Sequence, residues 1–320
     1  MKVLITGAGG FLGQFLAREL LSNPEHKVVL TDIVDVPVPT GAKNPHNATC
    51  IKSDLLKDRS VITPDLDAAY IFHGIMSSGS EANYDLGMSV NLESTRLLLE
   101  TIRQVRPGLR VIYASSQAVY GRPLPDVITE SVLPTPEGSY GAAKLMCETL
   151  INDMNRKGFI DAFVLRFPTI SVRPGKPAPA ASAFISGIIR EPLEGKECIV
   201  PVKDRQFPSN VCNPKTLISN LVYALTLKSD ALPKHKRVLN SPGICVTIQE
   251  MMDALAKVGG EDKLQYIKEE HDEFQARILY SWAYNYDNSL ALSLGFKKPD
   301  SFEEAVQEYI DYMEEQKKLG

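Results

Sequence analysis

Apolar positions along the first half of the chain fall into short β-rich runs separated by longer stretches of helical spacing. The strand candidates are Lys2 to Ile5, Lys27 to Asp32, Thr49 to Ser53, Ala69 to His73, Arg110 to Ala114 and Ala162 to Phe167. Between the first two, Phe11, Leu12, Phe15, Leu16, Leu20 and Leu21 recur at the three-to-four-residue interval of one helix face, until Asn23-Pro24 ends the pattern. Further helices are expected over Asp85 to Val105 and Tyr140 to Arg156. Strand alternating with helix is the rhythm of a parallel sheet covered on both faces, so the fold expected is α/β. After Phe167 the rhythm breaks down, with prolines at 168, 174, 177, 179, 192, 201, 208 and 214. Helical patterns return at Pro214 to Lys228, with Asn213 as the expected cap, and at Ile248 to Val258, where Thr247 and Glu250 have capping-box spacing. A last helix is expected after Ser301.

Composition narrows the class without changing this picture. Hydrophobic residues make up 44% and charged residues 23% of 320 residues, globular values. A net charge of -4 supplies no field for a polyphosphate backbone, so nucleic acid is not an expected partner. The spacings of Cys50, Cys147, Cys198, Cys212 and Cys245 fit neither a zinc site nor a redox pair, which points to reduced thiols in a cytoplasmic protein and to no metal. No apolar run approaches the ~20 residues of a membrane span, and no leader is expected. The expected division is 1–170 as a dinucleotide-binding domain, completed by parts of 210–240, and 171–320 as a smaller substrate-binding lobe.

Gly7, Gly10 and Gly13 follow the first strand and open the first helix, with Gly9 between them. Glycines there let backbone N–H groups and the positive helix end approach a pyrophosphate without Cβ interference. Asp32 ends the second strand, where its carboxylate can accept the adenosine-ribose hydroxyls and would repel a 2′-phosphate. Ile33-Val34-Asp35 brings no cation to hold that phosphate, so NAD is expected rather than NADP. Asp54-Leu55, after the third strand, is a candidate border for the adenine.

Tyr140 and Lys144 are four residues apart and share a helix face. A lysine ammonium beside a phenol stabilises its phenolate and brings a group of pKa ~10 towards neutral pH, where it can exchange protons. A chain of this composition yields about one such pair by chance, so position carries the inference. Ser115 and Ser116 close the Arg110 strand, at the carboxyl edge where doubly wound sheets bind ligands. Ser116 is the expected hydrogen-bond partner of the reacting oxygen, with Ser115 as the alternative.

This set of Ser116, Tyr140 and Lys144 resembles the extended short-chain dehydrogenase/reductase superfamily, which also contains nucleotide-sugar epimerases and dehydratases. The likeness runs through Thr6 to Gly13, Asp32, Asp54-Leu55, Asn91 to Thr95, Ala114 to Gly121, Ser139 to Lys144, Asp287 and Leu294-Gly295-Phe296. It implies a Rossmann-type doubly wound parallel sheet and an NAD-dependent enzyme. The cofactor contacts expected are Gly7, Gly10, Phe11, Leu12, Gly13, Asp32, Ile33, Asp54, Leu55, His73, Asn91, Ser115, Tyr140, Lys144, Pro168 and Thr169. Asn91 is expected to face the cofactor or tether its helix, and His73 to be a structural strand end rather than a base. The resemblance also implies a homodimer formed by the Asp85 to Val105 and Tyr140 to Arg156 helices of each subunit.

Where nucleotide-sugar enzymes read N-V-Y-G-P after the sixth-strand arginine, this chain reads Arg166-Phe167-Pro168-Thr169-Ile170. Gly158 to Asp161, Arg173-Pro174-Gly175-Lys176-Pro177, Ala180-Ala181-Ser182 and Gly187 to Leu193 are instead similar to the D-erythronate dehydrogenase family, NAD-dependent oxidisers of the 2-hydroxyl of small sugar acids. A carboxylate substrate calls for a cationic fork, which Arg173 can supply; Lys176 and Arg190 are weaker candidates. Ser77 and Ser78 are candidates for binding substrate hydroxyls, beside Ser116 and Tyr140. His73-Gly74-Ile75-Met76 and Tyr120 depart from the usual erythronate pattern and leave the acid open. The rival readings are a nucleotide-sugar epimerase or dehydratase with tightly held NAD, and a non-catalytic dinucleotide sensor.

Overall fold

The computed structural model describes residues 1–175 and 181–319, so Lys176, Pro177 and Ala180 lie outside the described residues. The chain divides into two compact units: Met1–Val119 with Pro134–Arg166 and Ile218–Leu239, and Tyr120–Leu133 with Phe167–Leu217 and Asn240–Gly320. The segment Tyr120–Leu133, expected with the first part of the chain, thus clusters with the second unit.

The first unit is built on strands β1 (Lys2–Thr6), β2 (Lys27–Asp32), β3 (Ala48–Lys52), β4 (Ala68–Ile71), β5 (Leu109–Ser116) and β6 (Ile160–Phe167). Three short strands of the second unit follow, β7 (Thr169–Ile170), β8 (Cys198–Val200) and β9 (Pro208–Cys212), and then β10 (Val238–Asn240) returns to the first sheet. The sheet order is β10-β6-β5-β4-β1-β2-β3, with β1 parallel to both β2 and β4. Strand order reverses between β1 and β4, the switch point where such sheets open a crevice at their carboxyl ends. Val3, Leu4, Ile5, Leu30, Ala69, Ile71, Val111 and Val164 are buried along these strands, the continuous apolar reading of a sheet covered on both faces.

The helices of this unit are α1 (Phe11–Leu20), α2 (Ser77–Ala82), α3 (Tyr84–Met88), α4 (Ser94–Val105) and α5 (Ser139–Arg156). The helix expected over Asp85 to Val105 is present as α3 and α4 joined by a π-helical turn, Ser89–Glu93. That wider turn carries the buried Asn91. Strand β4 stops at Ile71, short of His73, because the Phe72 N–H leaves the ladder and donates to the Thr6 hydroxyl at 3.2 Å. Ser77 and Ser78, the candidates for substrate hydroxyls, begin α2.

The second unit holds α6 (Ala183–Leu193), the first turn of α7 (Pro214–Ala224), α8 (Ile248–Ala254), α9 (Glu273–Leu279), α10 (Ser289–Ser293) and α11 (Phe302–Leu319), with β11 (Ile244–Thr247) and β12 (Ile267–Glu269). Phe184, Ile185, Ile188, Ile189, Val200, Met251, Leu255, Leu279, Phe302 and Val306 form its core. The loss of regular texture expected after Phe167 is corrected by α6. Phe184 to Arg190 of that helix are buried, and Pro192 in its last turn reads as a breaker in a proline-rich stretch.

Thr247 and Glu250 do form a capping box on α8. The cap expected from Asn213 is not made: its buried Oδ1 accepts no hydrogen bond. The Glu308 carboxylate of α11 instead accepts the Lys215 N–H at 2.7 Å and the Asn213 Nδ2 at 2.8 Å. A carboxylate outcompetes an amide oxygen for the positive end of a helix, and only tertiary folding brings it there.

Candidate active site

The glycine turn is close-packed. Gly7 has φ +66°, and a Cβ there would stand 2.6 Å from the His73 N; a Cβ on Gly13 would stand 2.6 Å from the Ala8 Cα. Gly10 precedes α1 as its N-terminal flank, with its own N–H bonded to the Gly7 carbonyl at 3.1 Å. Phe11 and Leu12 begin the helix and are half-buried. At the end of β2 the Asp32 carboxylate accepts the Gly9 N–H at 3.0 Å and the Ile33 N–H at 2.7 Å, so the acid is aimed along the glycine turn. Ile33 is exposed. This cradle fits an unphosphorylated dinucleotide: there is no room for side chains at the turn, and a fixed carboxylate stands at the ribose end.

Asp54 accepts the Leu56 N–H at 3.1 Å and pairs with Lys57 at 3.2 Å, the geometry of a turn aspartate; Leu55 beside it is buried. His73 is bonded at both nitrogens, Nδ1 to Thr6 Oγ1 at 2.8 Å and Nε2 to Ser94 Oγ at 2.8 Å. The Ser94 hydroxyl donates to the Val90 carbonyl at 2.6 Å, which assigns the imidazole proton to Nε2 and leaves Nδ1 to accept from Thr6. Burial, with the Lys144 charge nearby, holds the His73 pKa down to about 3, so the ring is neutral at working pH and acts as a tether.

Asn91 is a second tether. Its Oδ1 accepts the Ile75 N–H at 2.7 Å, while Nδ2 donates to the Ile75 carbonyl and the Ser80 hydroxyl, both at 3.0 Å. Both amide protons are thereby committed to the loop after β4, the helix-tethering role.

Lys144 lies on α5 with 3% of its surface exposed. Its Nζ donates to the Ala114 carbonyl at 2.7 Å and lies 4.7 Å from the Tyr113 ring and 5.6 Å from the Tyr140 ring. Desolvation, opposed by the electrostatic influence of Cys147 and Glu148, lowers its pKa to about 8, so it remains largely cationic at neutral pH. Tyr140 and Ser116 are half-buried, and Ser116 Oγ accepts the Ala118 N–H at 3.1 Å. A Cβ at Gly141 would collide with the Ala118 carbonyl oxygen, so this glycine lets the start of α5 approach the turn after β5. Ser115 is turned away: its hydroxyl is buried and donates to Glu148 Oε1 at 2.5 Å, which removes it as the alternative to Ser116. Ser77 and Ser78 are exposed on α2.

Pro168, Thr169 and Arg173 belong to the second unit. Thr169 pairs with Val211 in the β7–β9 ladder, and Pro168 is buried. Arg173 donates its N–H to Ser186 Oγ at 3.1 Å and its Nη2 to Ser182 Oγ at 3.3 Å, while its carbonyl accepts from Arg190 at 2.8 Å. Arg190 is thus a buried structural residue paired with Glu191 at 2.6 Å.

Sequence reading missed the Thr6–His73–Ser94 chain and the buried Glu148–Arg166 pair. The second had a signal, because Tyr140, Lys144 and Glu148 recur every four residues along one helix face.

A tyrosine and a buried lysine on a helix packed against the carboxyl edge of a doubly wound sheet define the short-chain dehydrogenase/reductase class of NAD-dependent enzymes. Residues 3–206 match the NAD dependent epimerase/dehydratase family, and the chain belongs to it. D-erythronate dehydrogenase of Haemophilus influenzae is 41% identical over 98% of this chain and 99% of its own length. D-erythronate dehydrogenase of Cupriavidus necator is 39% identical over 97% and 98%. The structure of a nucleoside-diphosphate-sugar epimerase from Agrobacterium tumefaciens superposes with a TM-score of 0.91 at 33% identity, covering 97% of this chain and 94% of that one.

Proposed function

We propose that the protein oxidises the secondary alcohol of a small sugar acid such as D-erythronate with NAD, or reduces the matching ketone. The observation that carries this reading is the placement of the Lys144 Nζ between the Ala114 carbonyl and the Tyr113 and Tyr140 rings, at the end of β5. Two near-full-length relatives named for oxidation of that sugar acid support the substrate class.

In this reading Gly7, Gly10 and Gly13 admit the pyrophosphate, Asp32 accepts the adenosine-ribose hydroxyls, and Lys144 donates to the nicotinamide ribose with N–H groups not spent on Ala114. The bound nicotinamide supplies a hydride acceptor. Ser116 hydrogen-bonds the substrate oxygen, and Tyr140 takes the hydroxyl proton as the carbinol C–H bond breaks and its electron pair leaves as hydride. The Lys144 charge favours the phenolate form that starts the oxidation. Arg173 would grip the substrate carboxylate and Ser77 or Ser78 its hydroxyls. The remaining expected contacts, Phe11, Leu12, Ile33, Asp54, Leu55, Pro168 and Thr169, would line the dinucleotide; His73 and Asn91 would shape its surroundings.

We further infer a homodimer through the α3–α4 and α5 helices. Exposed Tyr84, Leu86, Val105 and Met146 give these elements apolar surface that a second copy would cover. Reduced thiols, three of them buried, support a cytoplasmic setting.

The test is a screen of small hydroxy acids with added NAD, read as absorbance of the reduced cofactor. Steady formation of reduced NAD in solution is expected; cofactor that cycles without ever accumulating in reduced form would favour an epimerase instead. Tyr140→Phe should abolish turnover and leave NAD binding intact, and undiminished turnover would refute the assignment.

A further inference from the structure

The proposed mechanism leaves a buried ion pair unused, directly behind the site. Glu148 and Arg166 have side chains exposed by 2% and 5% and pair at 2.6 Å. Glu148 Oε1 also accepts Arg166 Nε at 2.9 Å and the Ser115 hydroxyl at 2.5 Å. A buried pair is an expensive way to fill space, since desolvating both charges offsets much of their attraction and apolar side chains of similar volume often stabilise more. Its location suggests what else it does. Glu148 stands one helical turn after Lys144 on α5, and Ser115 lies between Ala114, whose carbonyl accepts Lys144, and Ser116.

We propose that Glu148 is a positioning residue for the proton-transfer pair: clamped by Arg166, its carboxylate fixes Ser115 at the end of β5, so that the Ala114 carbonyl holds Lys144 and the Ser116 hydroxyl stands in register with Tyr140. This rests on the reading of Tyr140 as the proton carrier and extends it to a residue that touches neither cofactor nor substrate. The groups around the carboxylate are Ser115 from β5, Arg166 from β6, and Lys144 and Cys147 from its own helix; those around Lys144 include His73, Tyr113 and Tyr140. Within this set the Glu148 charge acts to keep Lys144 protonated, and its clamp keeps the strand end still.

The test is Glu148→Gln, with Glu148→Asp as the variant that keeps the charge, each measured for kcat, KM, NAD affinity, melting temperature and the pH profile of kcat. Glu148→Gln should lower kcat about tenfold with NAD affinity nearly unchanged. It should also move the alkaline limb of the profile to lower pH, because Lys144 then loses its proton more easily. Glu148→Asp should lower kcat less and leave the alkaline limb in place, and it carries the test alone if the Gln variant does not fold. A folded Glu148→Gln with wild-type kcat and an unmoved alkaline limb, however low its melting temperature, would reduce Glu148 to a structural residue; wild-type kcat in Glu148→Asp when the Gln variant fails to fold would do the same. Tyr140→Phe run alongside separates the two failures: turnover surviving there defeats the Tyr140 reading, whereas a dead Tyr140→Phe with an indifferent Glu148 series defeats this proposal alone.

Discussion

The central sheet buries cations at both ends of its strands, and the two ends treat them differently. At the amino edge, Arg237 is 0% exposed and its donors are spent on the Ala162, Ser229 and Leu232 carbonyls at 2.7–2.9 Å and on Asp161 at 3.4 Å. Arg110 reaches the same carboxylate at 2.7 Å, and the Phe163 ring lies against both guanidinium groups, 5.1 Å from Arg110 and 4.2 Å from Arg237. At the carboxyl edge, Lys144 touches one carbonyl and two aromatic rings and, among the described residues, forms no ion pair. The first arrangement spends its donors and locks a junction, although burial and the neighbouring Arg110 still lower the Arg237 pKa against the pull of Asp161. The second leaves a charge under-compensated, so its pKa falls to about 8 and it is poised to act on a neighbour.

The comparison breaks most sharply at Lys144. Lys144→Met should lower turnover about a thousandfold. Its effect on stability should be small or favourable. A lysine whose folded pKa lies below its unfolded value costs stability while charged in both states, and that cost is full below about pH 8 and relaxes as pH rises towards ~10.4. Thermal melts of wild type and variant at pH 7 and pH 9.5 check this: the variant should gain most, relative to wild type, at pH 7. A large loss of stability at pH 7 would mean that Lys144 is structural, like its counterpart at the other edge.

Arg237→Met should do the opposite. Losing a fully buried guanidinium leaves three carbonyls and part of Asp161 unpaired, which costs about 3 kcal/mol and lowers the melting temperature by about 4 °C. Turnover of the folded protein, assayed well below the melt, should stay close to wild type. A selective loss of turnover without a fall in melting temperature would show that the amino edge also serves the chemistry.

The smallest effect sharpens the contrast with a buried anion in the second unit. Burial raises the Glu308 pKa to about 7, despite the bonds from Asn213 and Lys215. Because its folded pKa lies above its unfolded value, its contribution to stability is full below ~4.3 and is lost as pH rises through about 7. Glu308→Gln should therefore be mildly destabilising or neutral at pH 5 and more favourable by about 2 kcal/mol at pH 8, read as a difference in denaturation midpoints. Equal effects at both pH values would show that the carboxylate is not perturbed by its burial.

Much of the molecule was legible along the chain. Periodicity placed six of the seven strands of the first sheet to within a few residues and missed only the short β10; the glycine turn, Asp32 and the position of the Tyr140–Lys144 pair after β5 pointed to a dinucleotide enzyme, because each is a local device whose parts lie close in sequence. The capping box at Thr247 was readable for the same reason. Helix α6 was not, since Pro192 in its last turn and the prolines before it read as breakers of any regular element.

What only tertiary structure decided are the contacts between residues far apart in the chain. It gave the Ser115 hydroxyl to Glu148, made His73 a neutral tether between β1 and α4, committed Asn91 to the loop after β4, and handed the cap of α7 from Asn213 to Glu308. Each contact joins groups that lie far apart along the chain, and at the α7 cap two groups were available for one helix end. Which group won depended on burial and on the arrival of a distant charge, and neither leaves a periodic trace in the sequence.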